Sequence, residues 1–173
     1  MITYLKNNLL VGLKTPPFGA LKISLALTLG YAIIAILVGF HSKLFELGII
    51  RSSLVYVLPF SLFIFPSLLE EAFFRGVLIP NNAKEKGKQF IIFITLVSAV
   101  LFVLWHPLNA LTVNPGAQEI FLNPSFLFIV FCLGLVCSLS YIYSKSLWVP
   151  VIIHWFTVFF WVLFFGGRNL VLE

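Results

Sequence analysis

Glu70 and Glu71 are adjacent inside the apolar run Leu68-Leu69-Glu70-Glu71-Ala72-Phe73-Phe74-Arg75, in a chain with only six acidic residues. Carboxylates at membrane depth are rare because they are costly, so their default meaning is a working site. On a helix, Glu71 and Arg75 are four apart and share a face, whereas Glu70 points about 100° away. One carboxylate is therefore expected to be paired with a cation and the other to be free. A carboxylate left in apolar surroundings beside a like charge can carry protons near neutral pH.

Two imidazoles stand in comparable settings. His106 closes the apolar segment Phe102-Val103-Leu104-Trp105-His106, with Phe102 four residues earlier on the same face. His154 lies within Leu147-Trp148-Val149-Pro150-Val151-Ile152-Ile153-His154-Trp155. Histidines in membrane segments usually face the interior of the helix bundle. A carboxylate and an imidazole brought together form a competent general acid and base pair.

The elements that must position these groups follow from composition. The 173 residues are 61% hydrophobic and 10% charged, with 20 Phe and a mean hydropathy of +1.08, far outside the range of a soluble domain. Apolar stretches at residues 23–40, 52–69, 90–105, 126–143 and 147–165 are each close to the ~20 residues that span a bilayer as helix. The expected fold class is all-α: a multi-pass transmembrane bundle of about five spanning helices forming a single domain over 1–173. The second span is expected to continue through Leu78, because Pro80 is read as its first breaker. Residues 1–20 suit a short interfacial helix ending at Pro16-Pro17. Loops are expected over 80–88 and between Pro107 and Pro124, where Asn114-Pro115-Gly116 is a turn signal. Counting ~1.5 Å per residue puts Glu70 about 15 Å from Pro80 and His106 about 27 Å from Lys88, so the two meet only if helices tilt or start at different levels. His154, about 10 Å from Leu147 on the same count, fits Glu70 better.

Lys6, Lys14, Lys22, Lys84, Lys86, Lys88 and Lys145 fall on one side of a five-span topology, against Lys43, Arg51 and Arg168 on the other. The positive-inside rule then places the N-terminus in the cytoplasm, in a multi-pass protein of the cell membrane whose first apolar stretch stays as an anchor. The formal net charge of +5 speaks of topology and anionic lipid headgroups; no nucleic-acid partner is expected. Cys132 and Cys137, five apart on one helix, turn away from each other and imply no disulfide. Trp105, Trp148, Trp155 and Trp161 are expected at helix ends and interfaces, and Gly134 at a close helix contact. His41, in a loop, is assigned no role.

The motifs taken together resemble the CAAX prenyl protease and bacteriocin-processing (CPBP, Abi) family of glutamic intramembrane proteases. Its Glu-Glu-x-x-x-Arg matches Glu70, Glu71 and Arg75, its Phe-x-x-x-His matches Phe102 and His106, and its His-x-x-x-Asn matches at His154 alone, because Val158 stands where the family usually has Asn. The resemblance covers roughly residues 54–161. It implies a hydrolase that activates a water between Glu70 and His106 and directs it at the peptide bond of a membrane-associated peptide or protein. Glu71 and Arg75 would then form the supporting ion pair, and His154 would stabilise the oxyanion. Without Asn at 158 a second donor must come from elsewhere, for which Thr157, Asn109 and the Trp161 indole are candidates. Losing such a donor typically costs ~100- to 1000-fold in turnover.

Other chemistries fit less well. Two His and a Glu are also a familiar zinc set, but there is no His-Glu-x-x-His, so the expectation is no metal and no cofactor, with a metal-dependent peptidase as an alternative. Serine chemistry lacks a Gly-x-Ser-x-Gly, although Ser61 and Ser67 are near the glutamates, and aspartyl chemistry fails because the chain contains no Asp. A non-catalytic peptide-binding or immunity-type membrane protein of the same fold stays open, since fold alone does not certify chemistry. A proton-coupled carrier ranks last, for want of internal repeats.

Overall fold

The structure, a computed structural model, describes residues 2–167. Arg168, counted in the charge asymmetry, lies outside the described residues, as do the side chains of Tyr4 and Leu5. The eight α-helical elements are α1 (Ile2–Gly12), α2 (Phe18–His41), α3 (Leu58–Leu62), α4 (Leu69–Glu71), α5 (Lys88–Thr112), α6 (Gln118–Phe121), α7 (Pro124–Ser144) and α8 (Trp148–Phe164). Among the described residues there is no strand beyond a single bridge between Gly48 and Phe165. The all-α bundle expected from composition is the architecture observed.

Among the described residues three helices, α2, α5 and α7, are long and apolar enough to cross a membrane, and α8 is a shorter apolar helix. Their ends follow local chemistry. Pro17 precedes α2, which stops at Ser42, whose hydroxyl donates to Val38 O at 2.8 Å. Gly87, at φ +91°, opens α5. Asn123 caps α7 by accepting from Ser125 N at 2.8 Å with Pro124 at the first helical position, where a missing N–H costs nothing.

The second apolar stretch departs from expectation. In place of one helix running to Leu78 there is a broken rod: α3, a wide π-type turn over Phe63–Leu68, α4, and a second π-type turn over Ala72–Val77. Phe65 is extended, at φ −120° and ψ 119°, immediately before Pro66. The reason is steric, because proline disfavours helical backbone in the residue before it and supplies no N–H. Backbone groups freed at membrane depth must find partners within the protein. Ser67 donates to Leu62 O at 2.8 Å, Trp155 Nε1 to Pro59 O at 2.8 Å, and Ser98 to Phe74 O at 2.9 Å.

Helix α7 is the central column. Over half (56%) of its most apolar window is buried, against 22% for α2 and 28% for α5, which leaves the outer faces of α2 and α5 for lipid. Gly134 lets α5 approach α7 closely: an added Cβ would meet Ala99 Cα at 3.1 Å. The main core gathers Phe74, Phe102, Phe126, Leu133 and Ile153 around this column.

Candidate active site

The broken rod turns its two glutamates onto different neighbours. Glu71 is fully buried, and its Oε1 accepts from Arg75 Nη1 at 3.0 Å and from His154 Nδ1 at 2.9 Å. The pairing with Arg75 is the one that helical spacing implies. Arg75, also fully buried, donates through Nη2 to Gly134 O at 2.9 Å and lies over the Phe102 ring at 4.6 Å. A cation and an anion are thus neutralised inside the bundle with further hydrogen bonds, the condition under which a buried pair is tolerable.

His154 sits elsewhere than the sequence count implies. Helix depth suited it to Glu70, yet its bond is to Glu71. A carboxylate already paired with Arg75 can only accept, so His154 Nδ1 carries a proton and Nε2 is the nitrogen that Glu71 does not engage. This is the arrangement by which a carboxylate fixes the tautomer and orientation of an imidazole.

Glu70 is bonded by a residue that sequence reasoning had placed at an interface. Trp105 Nε1 donates to Glu70 Oε1 at 2.9 Å. The second carboxylate oxygen, Oε2, is buried and has no hydrogen-bond partner. The bond to Trp105 also removes the depth mismatch, because it brings the residue beside His106 onto Glu70. Simple counting assumes straight helices, and the rod bearing Glu70 is interrupted at Phe65 and contains two wide turns.

His106 makes no direct bond to Glu70. Its Nδ1 lies 2.9 Å from Phe102 O, and since a carbonyl can only accept, Nδ1 is the protonated nitrogen and Nε2 keeps its lone pair. Aromatic edges hold the ring: Phe102, Phe121 and Phe126 have centroids 5.0, 5.2 and 5.5 Å away. Phe102 also packs against His154, at 5.6 Å, and against Phe74, at 5.2 Å. One fully buried phenyl ring therefore spaces Arg75 and both histidines.

Glu70, His106 and His154 line one cavity of about 1530 Å³. Its walls are otherwise largely apolar and include Ala35 from α2, Leu69 beside Glu70, and Phe160 from α8. Glu71 and Arg75 are not among the lining residues; His154, bonded to Glu71, is the member of their network that lines the cavity. Val158 lines it too, at the position where Asn was sought. Among the described residues, no three His, Cys or Glu side chains gather closely enough to hold a metal ion.

A lipid-facing helical bundle with an acid and two imidazoles around an apolar chamber has the architecture of a membrane protein. A family model described as Type II CAAX prenyl endopeptidase, Rce1-like, matches residues 51–160, and the chain belongs to that family of membrane proteases. Searches of curated proteins and of solved structures found no match. The matched segment holds Glu70, Glu71, Arg75, Phe102, His106 and His154, so the family read from those motifs is the family found.

Proposed function

We propose that the protein is an intramembrane endopeptidase in which Glu70 Oε2 and His106 Nε2 share the attacking water. The observation that supports this reading is a pair of open valences on one cavity: a carboxylate oxygen without a partner and an imidazole nitrogen whose other nitrogen is committed to Phe102 O. The water adds to the peptide carbonyl carbon and gives its proton to this pair. The same pair returns a proton to the departing amine as the C–N bond breaks. Trp105 holds one Glu70 oxygen so that the other points inward.

His154 acts on the carbonyl oxygen. With Nδ1 bonded to the Glu71 carboxylate, a protonated His154 presents Nε2–H to the developing oxyanion, and Glu71 with Arg75 keeps that charge in place without touching substrate. The apolar walls suit a membrane-associated peptide or protein, including one bearing the prenyl group that the family description names.

The test is cleavage by purified protein in detergent of candidate membrane peptides, with and without a chelator. Cleavage abolished by Glu70→Ala and by His106→Ala, and indifferent to chelation, is the expected result. Loss of cleavage on chelation would transfer the reaction to a metal. Val158 favours a second reading, a peptide-binding protein of the same fold, and binding of such peptides without cleavage by folded wild type would establish it.

A further inference from the structure

We infer that the Trp161 indole N–H supplies the second oxyanion donor, in place of the side chain missing at Val158; this rests on the peptidase reading above. Trp161 Nε1 is buried and has no hydrogen-bond partner. An indole N–H is a donor only, and a buried donor without an acceptor bears its full desolvation penalty. A site that receives its acceptor only with substrate accounts for it.

Position on α8 agrees. Trp161 is seven residues from His154, which returns to the same helix face within about 20°. It is three residues beyond Val158, a helix-surface neighbour, and both line the same cavity. Its ring packs on Phe126 at 5.4 Å, and Phe126 packs on His106 at 5.5 Å. Gly167 buttresses the indole from the other side, because a Cβ there would meet Trp161 Cδ2 at 2.6 Å.

The competing donors are less suited. The Thr157 hydroxyl spends its proton on Ile153 O at 2.9 Å. Asn109 lines the cavity but belongs to α5, the helix of His106. Trp161 instead lies on α8 with His154, the other proposed oxyanion donor, and both line the cavity.

The experiment uses the full chain in detergent and a peptide that wild type cleaves. Trp161→Phe keeps the ring and removes the N–H; kcat is expected to fall ~100- to 1000-fold with KM changed little. Restoring Asn in the double variant Val158→Asn, Trp161→Phe is expected to recover at least about tenfold of that loss, as a replacement donor should. Wild-type kcat in Trp161→Phe overturns the inference, as does a loss confined to KM or one that Val158→Asn cannot rescue. A loss in Asn109→Ala with none in Trp161→Phe would move the donor to α5 and overturn it equally. If wild type cleaves nothing, the peptidase reading falls and takes this inference with it, whereas active wild type with indifferent Trp161→Phe removes this inference alone.

Discussion

Glu70 and Glu71 are neighbours in sequence and opposites in surroundings. The Glu71 side is closed: a fully buried carboxylate, guanidinium and imidazole bonded to one another, to the Gly134 carbonyl and to an aromatic face. On the Glu70 side one oxygen is held by Trp105, the other has no partner, and the nearest chamber is large and apolar. Each side also keeps unpartnered buried atoms, Glu71 Oε2 and Arg75 Nε on one and Glu70 Oε2 on the other, so position separates them: Glu70 lines the cavity and is the carboxylate a ligand can meet, whereas Glu71 and Arg75 are outside its lining. Helical spacing already separates the two, because only Glu71 shares a face with Arg75; what spacing leaves out is the partner each finds across the bundle, Trp105 for Glu70 and His154 for Glu71.

The comparison breaks most directly by neutralising each carboxylate in turn. Glu70→Gln keeps an oxygen for Trp105 and removes the proton acceptor, so turnover is expected to fall ~100- to 10,000-fold while the thermal midpoint stays near wild type. Glu71→Gln leaves Arg75 as an uncompensated buried charge, and Arg75→Met takes from Glu71 the guanidinium that neutralises it, leaving only His154. Each is expected to lower stability by about 3–5 kcal/mol in thermal unfolding. Equal stability losses for Glu70→Gln and Glu71→Gln would erase the distinction.

Trp105→Phe sharpens it. The substitution keeps an aromatic ring, though a smaller one, and removes the bond to Glu70 Oε1. A hydrogen bond to a charged group is worth about 1.5–3 kcal/mol, which is roughly a 10- to 150-fold loss of kcat if the bond orients the carboxylate in the transition state. Measured kcat unchanged by this variant would make Trp105 a packing residue.

How much of this was legible follows from what kind of signal each feature leaves. Helix periodicity announced the Glu71–Arg75 contact and the shared face of Phe102 and His106, because both are four-residue relations within one helix. Apolar runs located α2, α5, α7 and α8. The break at Phe65 had a signal, Pro66, that was outweighed by the length of the apolar stretch; proline is tolerated in such segments when neighbours satisfy the backbone, as Ser67 and Trp155 do here. The partners of Glu70 and His154 left none. They depend on contacts between helices more than thirty residues apart in sequence, and a long side chain such as Trp105 can reach across a depth difference that residue counting treats as a gap. Trp105 was read from its type as an interfacial aromatic, a tendency that says nothing about where the indole N–H points.

The smallest expected effect lies at the closed end of the same rod, outside the family-matched segment. Asn8 of α1 is buried; its Nδ2 donates to Gly76 O at 2.6 Å and Ile79 O at 2.9 Å, and its Oδ1 accepts from Asn81 N at 2.7 Å. These are backbone groups that the wide turn and the end of the rod leave without helical partners. Gly76 admits α1 at this point, since a Cβ there would meet Leu9 Cδ2 at 2.6 Å. Asn8→Ala strands three backbone groups that can relax toward solvent at the end of the rod, so a loss of about 1–2 kcal/mol is expected, with faster amide exchange at Asn81. Because Asn8 acts on the support and not on the open carboxylate, kcat should change by less than about threefold in the protein that remains folded. A kcat loss as large as that of Trp105→Phe would mean that strain at the rod's end reaches Glu70, and the two faces would then have to be treated as one coupled unit.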